Sequence, residues 1–220
     1  DFFSTSWLEN NIDLGFKANI GKTTESLVGI NYYNYNYAID NNHDNFTDVT
    51  LQDRISIFNK WNFIRKSQKE FTVAGRFFFE DRWGGEMQWN KNYRGGNQIY
   101  GESIYTTRFE LLSKYQLPTK ENMSLSFSLT SHDQNSVYGT TLYLAQQKIA
   151  FGQYLWDKKL NRHNLLFGAA FRHQYYNDNT TATLKPESTN IYSIFIQDEI
   201  KLAEKNSILL GSRYDYNNNH

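Results

Sequence analysis

From Met123 to Ser131 the chain alternates strictly. Met123, Leu125, Phe127 and Leu129 fall on one set of positions, and Ser124, Ser126, Ser128 and Thr130 on the other. A period of two puts successive side chains on opposite faces of a strand, and a helix does not produce it. Tyr192 to Leu202 behaves the same way. Tyr192, Ile194, Ile196, Ile200 and Leu202 share one parity, while Ser193, Gln197, Glu199 and Lys201 share the other with Phe195. Asp198 is the exception on the apolar side.

Extended along the chain, this pattern predicts about ten strands. They run over 8–19, 25–38, 49–64, 70–82, 101–116, 122–132, 139–156, 163–177, 189–202 and 207–217. Many of these runs approach or exceed ten residues, whereas strands of soluble domains average about five or six. Strands that cross a bilayer at a tilt need about nine to eleven. The expected connections alternate in length. Short ones fall at 21–24, 65–69, 118–121, 157–162 and 203–206. Longer ones fall at 38–48, 83–100 and 177–188, with a shorter exception at 132–137. Short turns on one rim and long loops on the other are the habit of outer-membrane β-barrels. A soluble β-sandwich also alternates, so strand and loop lengths carry the distinction.

The two predicted faces differ in chemistry. One carries Ile12, Leu14, Phe16, Val28, Ile30, Tyr32, Ile55, Ile57, Trp61, Phe63, Phe77, Phe79, Phe109, Leu111, Leu165, Phe167 and Phe171, and it is the expected lipid face. The other carries charges of both signs: Asp13, Lys17, Arg54, Lys60, Arg76, Glu80, Arg108, Glu110, Arg172, Glu199, Arg213 and Asp215. A basic residue at mid-membrane costs roughly 2–4 kcal/mol, which assigns this second face to a polar interior. Ion pairs that stabilise the inner wall account for most of these charges.

Composition agrees. Aromatic residues make up 17% of the chain, with only two prolines, which suits many pleated strands. Lys plus Arg equals Asp plus Glu at 23 each, so charge gives no case for a nucleic-acid partner. Without cysteine, neither disulfides nor thiolate metal sites are available. No apolar run is long enough for a transmembrane helix. The opening Asp1-Phe2-Phe3-Ser4 lacks the basic start and apolar stretch of a secretion signal.

Catalytic chemistry is not legible. His43, His132, His163, His173 and His220 make no metal-ligand pair at turn or helix spacing. Nucleophile elbows, phosphate loops and dinucleotide fingerprints are absent. The expectation is therefore no enzyme activity, no cofactor and no metal. The informative segment is 82–102, which mixes aromatic, basic and glycine residues in one long connection. Long loops of this kind are usually functional or disordered, and the aromatics argue against disorder. Arg82, Trp83, Trp89, Tyr93 and Arg94 are the candidate ligand contacts: rings to stack on a planar ligand, guanidinium groups to meet an anionic one. The plainer account is that Trp83, Trp89 and Tyr93 pack the loop onto its neighbours. The loop is expected to fold inward.

Two segments resemble TonB-dependent outer-membrane receptors. The first runs from Arg94-Gly95-Gly96 through Ile99-Tyr100-Gly101-Glu102-Ser103-Ile104-Tyr105-Thr106-Thr107-Arg108-Phe109-Glu110 to Tyr115-Gln116-Leu117-Pro118. The second is Phe195-Ile196-Gln197-Asp198-Glu199-Ile200-Lys201-Leu202, a short turn, then Leu209-Leu210-Gly211-Ser212-Arg213-Tyr214-Asp215. The resemblance implies an all-β fold, an antiparallel transmembrane β-barrel of about 22 strands closed around a plug, of which residues 1–220 are a middle section. It implies location in the outer membrane of a Gram-negative bacterium, with outer-membrane lipid as one partner. A TonB complex, reached through the plug, would supply energy. An extracellular nutrient or metal chelate such as a ferric siderophore, haem or cobalamin would be the cargo. The alternatives are a complete ten-stranded barrel acting as a hydrolase and a passive porin.

Overall fold

A computed structural model of the chain describes residues 1–219. Eleven strands form one sheet whose order is the order of the chain, every neighbouring pair antiparallel. They are β1 (Phe2–Ser4), β2 (Asn10–Ile20), β3 (Thr24–Tyr35), β4 (Leu51–Phe63), β5 (Phe71–Gly85), β6 (Gly101–Gln116), β7 (Asn122–Tyr138), β8 (Thr141–Leu160), β9 (His163–Asp178), β10 (Glu187–Ala203) and β11 (Asn206–Asn217). The only helical element among the described residues is a 3-10 turn, Lys91–Tyr93. Among the described residues no helix is long and apolar enough to cross a membrane.

The strand ahead of the ten expected ones is β1. Three residues are too few to show a period, and β1 exists because it pairs with Asn10–Ile12 of β2. The expected connection at 132–137 is strand instead. β7 continues to Tyr138 and meets β8 through Gly139-Thr140. Gly139 sits at φ +59, a left-handed conformation that glycine adopts without strain and that tight hairpin turns require. The polar run His132 to Ser136 looks like loop because the alternation of apolar and polar residues stops there, yet the ladder of hydrogen bonds does not.

The sheet has almost no core. Among the described residues the only buried hydrophobic ones are Tyr35, Leu51, Ala74 and Val137, while Phe109, Phe127, Leu129 and Ile194 are each at least half exposed. A sandwich would cover one face with a second sheet. Here all strands lie in a single layer, and β1 and β11 do not pair with each other.

Cross-strand pairing keeps the two faces continuous. Arg76 stands opposite Glu110, which stands opposite Thr130. Phe77, Phe109 and Ser131 form the next row on the other face. The charged face holds its expected ion pairs: Arg76–Glu110 at 3.7 Å, Arg108–Glu110 at 2.5 Å and Lys17–Glu25 at 3.0 Å. It also holds Phe58, Phe78 and Phe195, which alternation alone assigns to neither lipid nor solvent. Phe195 lies directly over Gly168, its partner on β9, where a Cβ would overlap the ring.

The rows climb steadily relative to the strand ends. One runs Trp61, Val73, Ser113, Phe127, Gly152, Phe171, Tyr192, Tyr216. Trp61 is near the short-turn end of β4 (Leu51–Phe63), whereas Tyr216 is near the far end of β11 (Asn206–Asn217). Such a one-directional stagger means that the strands tilt together relative to the rim.

Candidate functional site

At the long-loop rim, residues 36–50 and 86–100 pack against the ends of β5 and β6. Short polar side chains shape the first loop. Asp40 accepts from the backbone N–H groups of Asp44 and Asn45, and Asp44 accepts from that of Phe46. These Asx-type contacts replace the ladder bonds that a loop lacks. They hold His43 and Asn45 at positive φ and deliver Phe46 to a bridge with Glu86. Beside it, the Thr47 and Gly85 backbones bond at 2.8 Å, and Gly85 N–H also donates to Thr47 Oγ1 at 3.1 Å.

A cleft of about 250 Å³ opens between these segments, lined by Phe46, Thr47, Thr50, Arg82, Tyr100 and Glu102 among others. Arg82 and Glu102 lie on adjacent strands, on the face that carries Arg76 and Glu110. The rings of Phe46 and Tyr100 stand 6.2 Å apart at 47°. Tyr100 OH donates to Glu102 Oε1 at 2.8 Å, and that bond, with lesser burial, raises the phenol pKa above its ordinary value. The nearest anion to Arg82 is Glu80, at 4.0 Å, so most of the guanidinium N–H groups stay available. Gly84 keeps the floor clear, because a Cβ there would come within 3.0 Å of Thr47 Oγ1.

The loop 86–100 folds the other way. Lys91 Nζ bonds Asp81 Oδ2 at 2.6 Å and sits 5.2 Å from the Trp83 ring centroid. Arg94 Nε donates to Ser103 Oγ at 3.1 Å, and its Nη2 donates to Asn135 Oδ1 and O at 2.7 and 3.0 Å. Trp89 lies on Gly101, where any Cβ would overlap the indole. Asp81, Trp83, Gly101, Ser103 and Asn135 share the parity of Phe77, Phe79 and Phe109. The loop therefore covers the continuation of the apolar face, not the charged face toward which the sequence suggested it would fold. The reason is the buried Asp81, which needs a cation and finds it in Lys91. The hydrogen bond from Lys91 to Asp81, ahead of any burial effect, holds the lysine pKa above its ordinary value.

No protein-family model matches the chain, and no curated protein matches it.

Of the five sequence candidates, Arg82 and Trp83 line the cleft, and Arg82 alone points to the charged face with its side chain free. Trp83, Trp89 and Arg94 lie on the opposite face, engaged with the loop and with β6 and β7. Tyr93 is half-buried in the 3-10 turn, its backbone carbonyl accepting from Gly96 N–H at 2.9 Å. Sequence reasoning missed Phe46, Tyr100 and Glu102. The one signal for the last two was the continued alternation Tyr100, Glu102, Ile104 into β6. Nothing local marks Phe46 as their neighbour. Among the described residues no group of three or more His, Asp or Glu side chains is arranged to hold a metal ion.

Proposed function

We propose that this chain supplies eleven consecutive strands of the wall of a TonB-dependent outer-membrane receptor. The observation that carries the reading is the sheet itself. It is a single-layer antiparallel meander of long strands, with one apolar face left exposed and one face of paired charges. Water does not tolerate such a face, and a bilayer requires it. The common tilt is the geometry that closes a large barrel, and eleven strands are half of the 22 or so that the resemblance implies.

Aromatic pairs near the short-turn rim support the same placement. Phe63 stacks on Phe71 at 4.7 Å, Phe71 meets Tyr115 edge-on at 5.4 Å, and Arg65 lies over Tyr115 at 4.2 Å. Rings and cations at this level suit the membrane–water boundary. The short turns would face the periplasm and the long loops the exterior. The cargo would be a scarce nutrient such as a ferric siderophore, haem or cobalamin, taken up with energy from a TonB complex acting through a plug. Arg82 is the candidate to meet ligand from this segment.

The test combines fractionation with uptake. The protein should sediment with outer membranes, migrate differently in detergent gels before and after boiling, and support uptake of at least one of these nutrients only in cells with TonB. A soluble monomer that stays monodisperse without detergent would overturn the reading.

A further inference from the structure

The cleft at the rim has a chemistry more specific than its position. Two rings, Phe46 and Tyr100, present apolar faces side by side, each more than 40% exposed. Around them stand a donor with free N–H groups, Arg82, an acceptor whose Oε2 carries no bond, Glu102, and the hydroxyl of Thr50. Within the lining one cation stands against one carboxylate, with Glu80 just outside it, 4.0 Å from Arg82.

We infer that this cleft binds a single neutral sugar ring, free or as the end of a glycan. Three properties of the site select that class. A pyranose has one face of C–H groups, weakly positive, which suits the negative face of an aromatic ring. Its edge carries adjacent hydroxyls that both donate and accept, which suits a guanidinium beside a carboxylate. An anionic guest would face Glu102 and a cationic one Arg82, each with loss. Size decides the rest. Pockets for drug-sized ligands run from about 300 to 1,000 Å³, and this one is about 250 Å³. One sugar ring fits within it, and a larger guest would reach it only by an edge. The inference goes beyond the transport reading, because the cleft is complete within the ends of β5 and β6 and the loops 36–50 and 86–100 and does not depend on what the barrel carries.

The test uses the protein purified from membranes in detergent. Saturation-transfer NMR and calorimetry are run with methyl β-glucoside, methyl β-galactoside, N-acetylglucosamine, cellobiose and maltotriose. At least one should bind saturably, with transfer strongest at its ring C–H protons. Tyr100→Leu and Arg82→Gln should each weaken that binding about tenfold. Gly84→Leu, which fills the floor, should abolish it. Arg172→Gln, on β9 and away from the cleft, should leave it unchanged. Preference for the methyl glycosides would identify a free sugar, and preference for the oligosaccharides a glycan end. Absence of binding by all five, or binding unchanged in Tyr100→Leu and Arg82→Gln, would overturn the inference. Exposed as they are, these side chains can be replaced without loss of the fold, and unchanged heat-dependent gel migration verifies that. Sugar binding without TonB-dependent uptake would sink the transport reading and leave this one standing, and uptake without sugar binding would do the reverse.

Discussion

Lys91 Nζ lies 2.6 Å from Asp81 Oδ2, joining the 86–100 loop to a carboxylate that is only 5% exposed on β5. The contact decides which side of the sheet the loop covers. An isolated buried carboxylate is costly, and no other cation bonds Asp81 among the described residues. Asp53 stands directly opposite on β4, so a second negative charge adds to the need for Lys91.

Removing this tie should free the loop and leave the sheet intact. In Lys91→Ala, amides of 86–100 should exchange hydrogen faster, and trypsin should cut after Arg94 more readily. The lysine is more than half exposed, so the pair should couple by no more than about 1 kcal/mol in a double-mutant cycle. Asp81→Asn should loosen the loop too. Exchange rates unchanged in both variants would show that Trp89 on Gly101 and Arg94 on Asn135 hold the loop without it.

The assignment of faces makes a sharper prediction. Phe127 and Ser128 are neighbours on β7 and point to opposite faces. If the Phe127 face meets lipid, Phe127→Arg should cost roughly 2–4 kcal/mol of folding stability in phospholipid vesicles. Ser128→Arg should cost much less. Equal costs would remove the membrane assignment of this face.

Gly168 and Phe195 should behave as one unit. Gly168→Val places atoms where the Phe195 ring lies and should destabilise the protein by roughly 1–3 kcal/mol. In Phe195→Ala the same valine should be tolerated, because the ring is gone. A denaturation cycle of the four proteins measures the coupling, and additive effects would refute it.

Acid should act at the short turn before β7. Glu121 accepts from Trp156 Nε1 and from Lys158 Nζ, each at 3.3 Å. Those two bonds, the tryptophan's first, lower its carboxyl pKa below the ordinary value. A carboxyl whose pKa is lower folded than unfolded stabilises the fold above the unfolded pKa. That contribution fades as pH falls through the folded pKa. Stability of the wild type should therefore decline on acidification more than that of Glu121→Gln. Parallel pH profiles would show that the contacts carry no free energy.

Much of the sheet is legible from residues alone, because alternation is a local property. The run 122–131 cannot be anything but a strand with one greasy side, and the second segment, 192–202, repeats the lesson. The turns after Ile20, Gln116 and Ala203 are legible for the same reason. Where one face ceases to be apolar, as at His132 to Ser136, parity still holds but the pattern no longer reports it. The extra length of β7 was lost there, and that of β8 lies at 157–160, where a turn was expected. Asp198 shows the converse: its place on the apolar face reads as an irregularity, and its partner, His163 Nδ1 at 2.7 Å on the neighbouring strand, supplies the reason.

The sequence by itself determined that the chain forms long antiparallel hairpins with an apolar and a charged face, since side-chain direction along a strand depends only on parity. Tertiary structure alone decided the rest. It set the common tilt, because stagger arises from pairing between strands. It set the side on which 86–100 lies, because the buried charge of Asp81 has to be answered in space. It also made the cleft, because Phe46 meets Tyr100 only when two loops distant in sequence close over the same pair of strand ends.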